Sequence, residues 1–176
     1  MANLVDRMIR ASKLDVNLYE EVEADQSATS QALVVVVISS IAAGIGAIGV
    51  LGIEGLIFTT LASLIGWFVW AFLAYIIGTK LLPEPQTSSN MGEMLRTIGF
   101  SSSPGVIRIL AFIPLIGAII SLVASIWMLV AMIIAVRQAL DYKSTWRAIA
   151  VCLIGFVIYM IILIAVFSVF GVKQPV

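Results

Sequence analysis

Between residues 32 and 170 the chain runs through long apolar stretches separated by short polar breaks, and this pattern excludes most folds. Apolar side chains make up 61% of the 176 residues and charged ones 11%, with a mean hydropathy of +1.13. Soluble domains carry about 25% charged residues. A water-soluble fold of this size could not hide so much apolar surface, so lipid must solvate part of it. The first run covers 32–53; as a helix it is about 33 Å long, enough for a hydrocarbon core of about 30 Å. A turn at Gly52-Ile53-Glu54-Gly55 separates it from the second run, 56–78. Pro83, Pro85 and the polar residues up to Asn90 then mark an extramembrane loop.

Residues 96–137 would measure about 60 Å as one helix, twice the bilayer core. Pro114 and Gly117, near the middle, supply the turn that lets this stretch fold back. The expected spans are therefore 32–53, 56–78, 94–112, 115–136 and 148–170, with a tail at 172–176. Charge gives an independent test of parity. Five spans put Arg7, Arg10, Lys13, Lys80, Arg96, Arg137, Lys143 and Arg147 on one side and only Lys173 on the other. Fusing the third and fourth spans would change that eight-to-one ratio to six to three. The positive-inside rule thus favours five crossings of the cell membrane, with the N-terminus cytoplasmic and the C-terminus outside. Tyr75, Tyr142 and Trp146 then fall at the inner interface, where amphipathic rings accumulate. The expected fold class is all-α: a polytopic bundle of five transmembrane helices (31–171) behind a cytoplasmic segment (1–30). About thirty polar residues precede the first run, the pattern of a retained span rather than of a cleaved leader.

Within that segment Leu4, Val5, Met8, Ile9 and Ala11 share one helix face, and Arg7, Arg10 and Lys13 the other. The pattern fits a helix in the headgroup layer, its cations on lipid phosphate, or one packed on the cytoplasmic loops. Tyr19, Glu20, Glu21, Glu23 and Asp25 form an acidic run, read either as a solvated helix face or as a docking surface for a basic partner. Asp25 or Ser27 could cap the first membrane helix.

Several strings resemble the Yip domain family, specifically its prokaryotic branch. They are Leu18-Tyr19-Glu20-Glu21-Val22-Glu23-Ala24-Asp25, then Ser27-Ala28-Thr29 and the Gly-rich first span, then Gly99-Phe100-Ser101-Ser102-Ser103-Pro104-Gly105. Ile126-Trp127 and Ala135-Val136-Arg137-Gln138-Ala139-Leu140 complete the set. The resemblance covers nearly the whole chain and implies five membrane helices with a cytoplasmic N-terminus. Eukaryotic members are trafficking factors that bind Rab-type GTPases. Here Asn17-Leu18-Tyr19-Glu20 stands where those members carry Asp-Leu-Tyr-Gly-Pro, so GTPase binding is not carried over.

Catalytic chemistry finds little support. Histidine is absent and cysteine occurs once, at Cys152, which excludes a disulfide framework, a zinc site and an imidazole base. No carboxylate lies centrally in a span, as a proton-coupled carrier or an aspartyl protease would need. No phosphate loop or metal-ligand spacing is present, and net charge is zero, so no nucleic-acid role, cofactor or metal is expected. Cys152 reads as an inert apolar residue or a palmitoylation site.

The membrane-embedded candidates are Arg108, Glu54, Ser101, Ser102, Ser103 and Pro104. Arg108 either snorkels to lipid phosphate or pairs with Glu54 on the outer side. Pro104 should kink or break the third span, and the serines either back-bond to the kinked backbone or line a polar path. Small residues in the first span (Ser40, Ala42, Ala43, Gly44, Gly46, Ala47) and in the fourth (Gly117, Ser121, Ser125) allow close packing, within the chain or between copies. Trp67, Trp70 and Trp127 lie inside spans, so their N–H groups should find partners there. Two functions fit: a non-catalytic membrane scaffold that associates with the bilayer, other membrane proteins or itself, or a small transporter, channel or lipid-translocating protein using the broken third span.

Overall fold

The structure, a computed structural model, describes residues 3–170, with all side chains except those at 49–51, 166, 167, 169 and 170. Every regular element among them is helical. Two short helices, α1 (Leu4–Ser12) and α2 (Val16–Ala24), precede α3 (Ala28–Gly46) and α4 (Ile48–Ile76), which runs on through a π turn at Ile77–Leu81. After a loop come α5 (Met91–Ser101), a 3-10 helix (Ser103–Phe112), α6 (Gly117–Ala139) and α7 (Thr145–Phe170). Four helices are long and apolar enough to cross a membrane: Ala28–Gly46, Gly52–Leu81, Gly117–Ala139 and Thr145–Ala165.

Local chemistry sets most boundaries. Asn3 and Asp15 cap α1 and α2, accepting from the N–H groups of Val5 (3.1 Å) and Asn17 (3.0 Å). Asn90 and Glu93 form a reciprocal capping box that starts α5. The first span starts and stops earlier than hydropathy implies. Ala28 is already buried, and the chain turns at Ala47, whose N–H reaches the carbonyls of Ala43 and Gly44. The turn expected at 52–55 is instead a kink at Gly52, whose φ of 64° and ψ of −173° suit glycine alone. Asp25 and Ser27 do not cap α3 as expected: Asp25 Oδ1 accepts from the N–H and Oγ of Ser27, closing a turn ahead of the helix.

The third expected span is two pieces. α5 stops at Ser101, and ten residues of 3-10 helix follow from Ser103. Pro104 has no N–H to continue an α-helix, so the tighter winding takes over. End to end the pair is about 36 Å long. It runs from α2, where Arg96 binds, to the far end of α3, where the Arg108 carbonyl lies against Gly46. A Cβ on Gly46 would overlap that carbonyl, and one on Gly105 would overlap Ser39 Oγ. Small residues therefore serve contacts within the chain. Residues 113–116 turn the chain into α6, with Leu115 at positive φ and almost wholly exposed.

Two apolar cores result. One joins α4, α5, α6 and α7 around Ile77, Met94, Val136, Leu140 and Val151. The other places Leu18, Tyr19 and Val22 of α2 against Ala32, Phe100 and Ala135. The expected tail at 172–176, with Lys173, lies outside the described residues.

Candidate functional site: the docked N-terminal hairpin and the cavity at Arg108

α1 and α2 form a hairpin packed against α5, α6 and the 3-10 helix. The Trp127 indole N–H donates to the Ser12 carbonyl (2.8 Å), and Gln138 Nε2 donates to Glu20 (2.8 Å). Those two α6 residues are about 16 Å apart along the helix, so the hairpin covers close to half of α6. Its bend points toward the middle of that span.

α1 turns parts of both faces inward: Arg7 and Ala11 are buried, Leu4 and Met8 pack on the second core, and Lys13 stays exposed. Arg7 is 3% exposed. It donates from Nε to Glu21 Oε1 (2.9 Å), from Nη1 to Gln31 Oε1 (3.0 Å) and from Nη2 to Asp25 Oδ2 (2.7 Å). Arg10 reaches Asp15 (2.8 Å) and Glu21 (2.5 Å). A buried guanidinium needs this kind of fork-on-carboxylate pairing to offset lost hydration. The Ser27 hydroxyl and Arg7 hold the Asp25 carboxyl down at about 2. Val5 and Ile9, 57% and 49% exposed, are left on the outside.

Most of the expected docking surface is thereby internal. Tyr19 is fully buried, and Arg7, Arg10, Glu21 and Asp25 hold one another. Lys13 and Glu20 remain exposed, and Glu23 is half-buried. Burial, then Asp141, Glu93 and Glu20, push the Glu23 carboxyl up to about 7, with Arg96 pulling the other way. Arg96 is a residue that sequence reasoning counted only as a cation. It is 5% exposed, and it donates from Nε to the Val22 carbonyl (2.8 Å) and from Nη2 to the Glu23 carbonyl, closing the C-terminus of α2.

The second feature surrounds the broken span. Arg108 does not meet Glu54; among the described residues its side-chain partner is Ser125 Oγ on α6 (2.9 Å), while Glu54 is exposed in no ion pair. Ser101 Oγ back-bonds to the Ile98 carbonyl (2.7 Å), as a kinked helix permits. Ser103 Oγ is buried without a partner among the described residues, and Ser102 lines a cavity of about 250 Å³. A larger cavity of about 580 Å³ adjoins it, and Arg108, Trp70, Met128, Met132 and Tyr159 line both. The Trp67 N–H donates to the Leu95 carbonyl (3.1 Å), but the buried N–H of half-buried Trp70 has no acceptor among the described residues. The ring of Trp70 meets Tyr159 edge-on at 5.9 Å. In the connection between α6 and α7, Tyr142 is buried with its hydroxyl near the carbonyls of Gly78 (2.9 Å) and Leu82 (2.7 Å), whereas Trp146 is exposed. Cys152 is buried among apolar neighbours. No group of three metal-binding side chains occurs among the described residues.

No curated protein and no solved structure matches the chain. The model of the Yip1 domain matches residues 17–167, a stretch that takes in α2, all the membrane helices and both cavities. The chain therefore belongs to the Yip1 domain family of membrane proteins.

Proposed function

We propose that the protein is a non-catalytic organiser of the cell membrane that works through its N-terminal hairpin. In this reading it crosses the bilayer five times, with the hairpin on the cytoplasmic side and the C-terminus outside. The observation that carries it is the way Arg7 fixes α1 against α2 and α3. Arg7 is locked inside, so Val5 and Ile9 are held outward beside the membrane helices. Exposed apolar residues held on a rigid helix beside a bilayer suit a lipid surface or the flank of another membrane protein. The small-residue faces serve contacts within the chain, which leaves the hairpin as the surface for association.

Cross-linked pull-down from native membranes tests the reading. Wild type should recover a reproducible set of membrane proteins, and Val5→Glu with Ile9→Glu should lose it while still folding. Identical recoveries from both would sink the proposal. A second reading, passage of a solute or lipid along the broken third span, is favoured by the two adjoining cavities at Arg108. Robust permeation through reconstituted liposomes that depends on Pro104 would establish it in place of the first.

A further inference from the structure

We propose that the larger cavity is a phospholipid site, with the phosphate on Arg108 and an acyl chain along the apolar wall between α6 and α7. This inference stands apart from the hairpin and does not depend on its role.

The polar end of the cavity is rich in donors and lacks acids. Arg108 carries five N–H groups and a charge that does not titrate away. Its one side-chain partner, Ser125 Oγ, has already committed its own proton to the Ser121 carbonyl (2.8 Å), so it can only accept. Among the described residues no carboxylate lines either cavity. The buried Trp70 N–H, also a lining group, lacks an acceptor among the described residues. Both are donor-only side chains on one cavity wall, and a ligand that offers several acceptors and negative charge would answer them together. An unneutralised arginine at a span's centre costs about 2.5–3.5 kcal/mol. A phosphate answers it with paired, charge-assisted hydrogen bonds.

The remainder of the lining is apolar, including Leu129, Ile133, Leu153, Phe156 and Met160. Of these, Leu129, Leu153 and Phe156 are more than half exposed, so the cavity opens sideways toward lipid. Its 580 Å³ falls within the range of about 300–1,000 Å³ usual for small-molecule sites. Depth sets how far the headgroup must sink. The Arg108 carbonyl lies against Gly46, the last residue of α3, but its guanidinium reaches Ser125, eight residues or about 12 Å into α6, so a phosphate bound there is drawn down into the cavity.

Native mass spectrometry of the full-length detergent-solubilised protein provides the test, with phosphatidylglycerol and a diacylglycerol of the same chains as probes. Wild type should retain the phospholipid and shed the diacylglycerol, and Arg108→Gln should weaken retention at least about tenfold. Leu153→Trp, which fills the wall and leaves the charge alone, should also lower retention. It keeps the test decisive should Arg108→Gln fail to fold. Equal retention of the two lipids, or retention unchanged in a folded variant, would overturn the proposal.

Discussion

Arg7 ties together three elements that hydropathy treats as separate: α1, the end of α2 and the start of α3. Removing it would leave Asp25 without its counter-charge and Glu21 with Arg10 alone. Because those carboxylates are about one-third exposed, Arg7→Ala should cost about 2 kcal/mol, less than for a fully buried pair. Arg7→Lys should recover little of it, since an ammonium cannot serve three acceptors in one plane. Hydrogen exchange of 4–24 is the measurement; protection unchanged in Arg7→Ala would contradict this. Glu23 supplies a pH dependence. Its proton is held more tightly in the folded chain, at about 7, than in an unfolded one, at about 4.5. The stability it contributes is full below about pH 4.5 and is lost as pH rises through about 7. Glu23→Gln should flatten this decline in thermal midpoint between about pH 5 and pH 8. An unchanged slope would show that burial does not hold the Glu23 proton. The inward arginine was not legible in the sequence. Helical periodicity says which residues share a face, but not which of them turn inward when α2 supplies carboxylates for Arg7 and leaves Val5 and Ile9 exposed.

At the scale of elements, the break in the third span was legible and its continuation was not. Pro104 forbids one α-helical bond, a local fact. That ten residues then wind as 3-10 helix follows from close packing on α3 and α6, where Gly46 and Gly105 leave no room for a Cβ. Gly46→Ala would collide with the Arg108 backbone and should cost about 1–3 kcal/mol. Gly155→Ala meets only Ile77 and Trp70 at ordinary contact distance and should be neutral or stabilising by up to about 1 kcal/mol, because alanine favours helix. Thermal midpoints in detergent compare them; equal effects would mean that the 3-10 helix and α3 are not in contact as described. The first turn was misplaced for a related reason. Glycines at 44, 46, 49, 52 and 55 all allow a turn, and only tertiary contacts choose among them.

Across the whole molecule, the long spans were readable because lipid-facing helices need no partner to explain their apolar surface. α6 and α7 carry that surface on most sides. The N-terminal segment was not readable. Its place depends on contacts over more than a hundred residues, such as those of Ser12 with Trp127 and Glu20 with Gln138. On that docking rests the claim that the hairpin is part of the membrane body and presents a fixed surface. In a Cys152→Ser background, a short bismaleimide added to membranes should join Glu20→Cys to Gln138→Cys. It should fail to join Lys13→Cys to Gln138→Cys, because Lys13 follows Ser12, which meets Trp127 about 16 Å from Gln138 along α6. Linking of the first pair alone is the predicted result; linking of neither pair, or of both equally, would contradict a hairpin docked along α6.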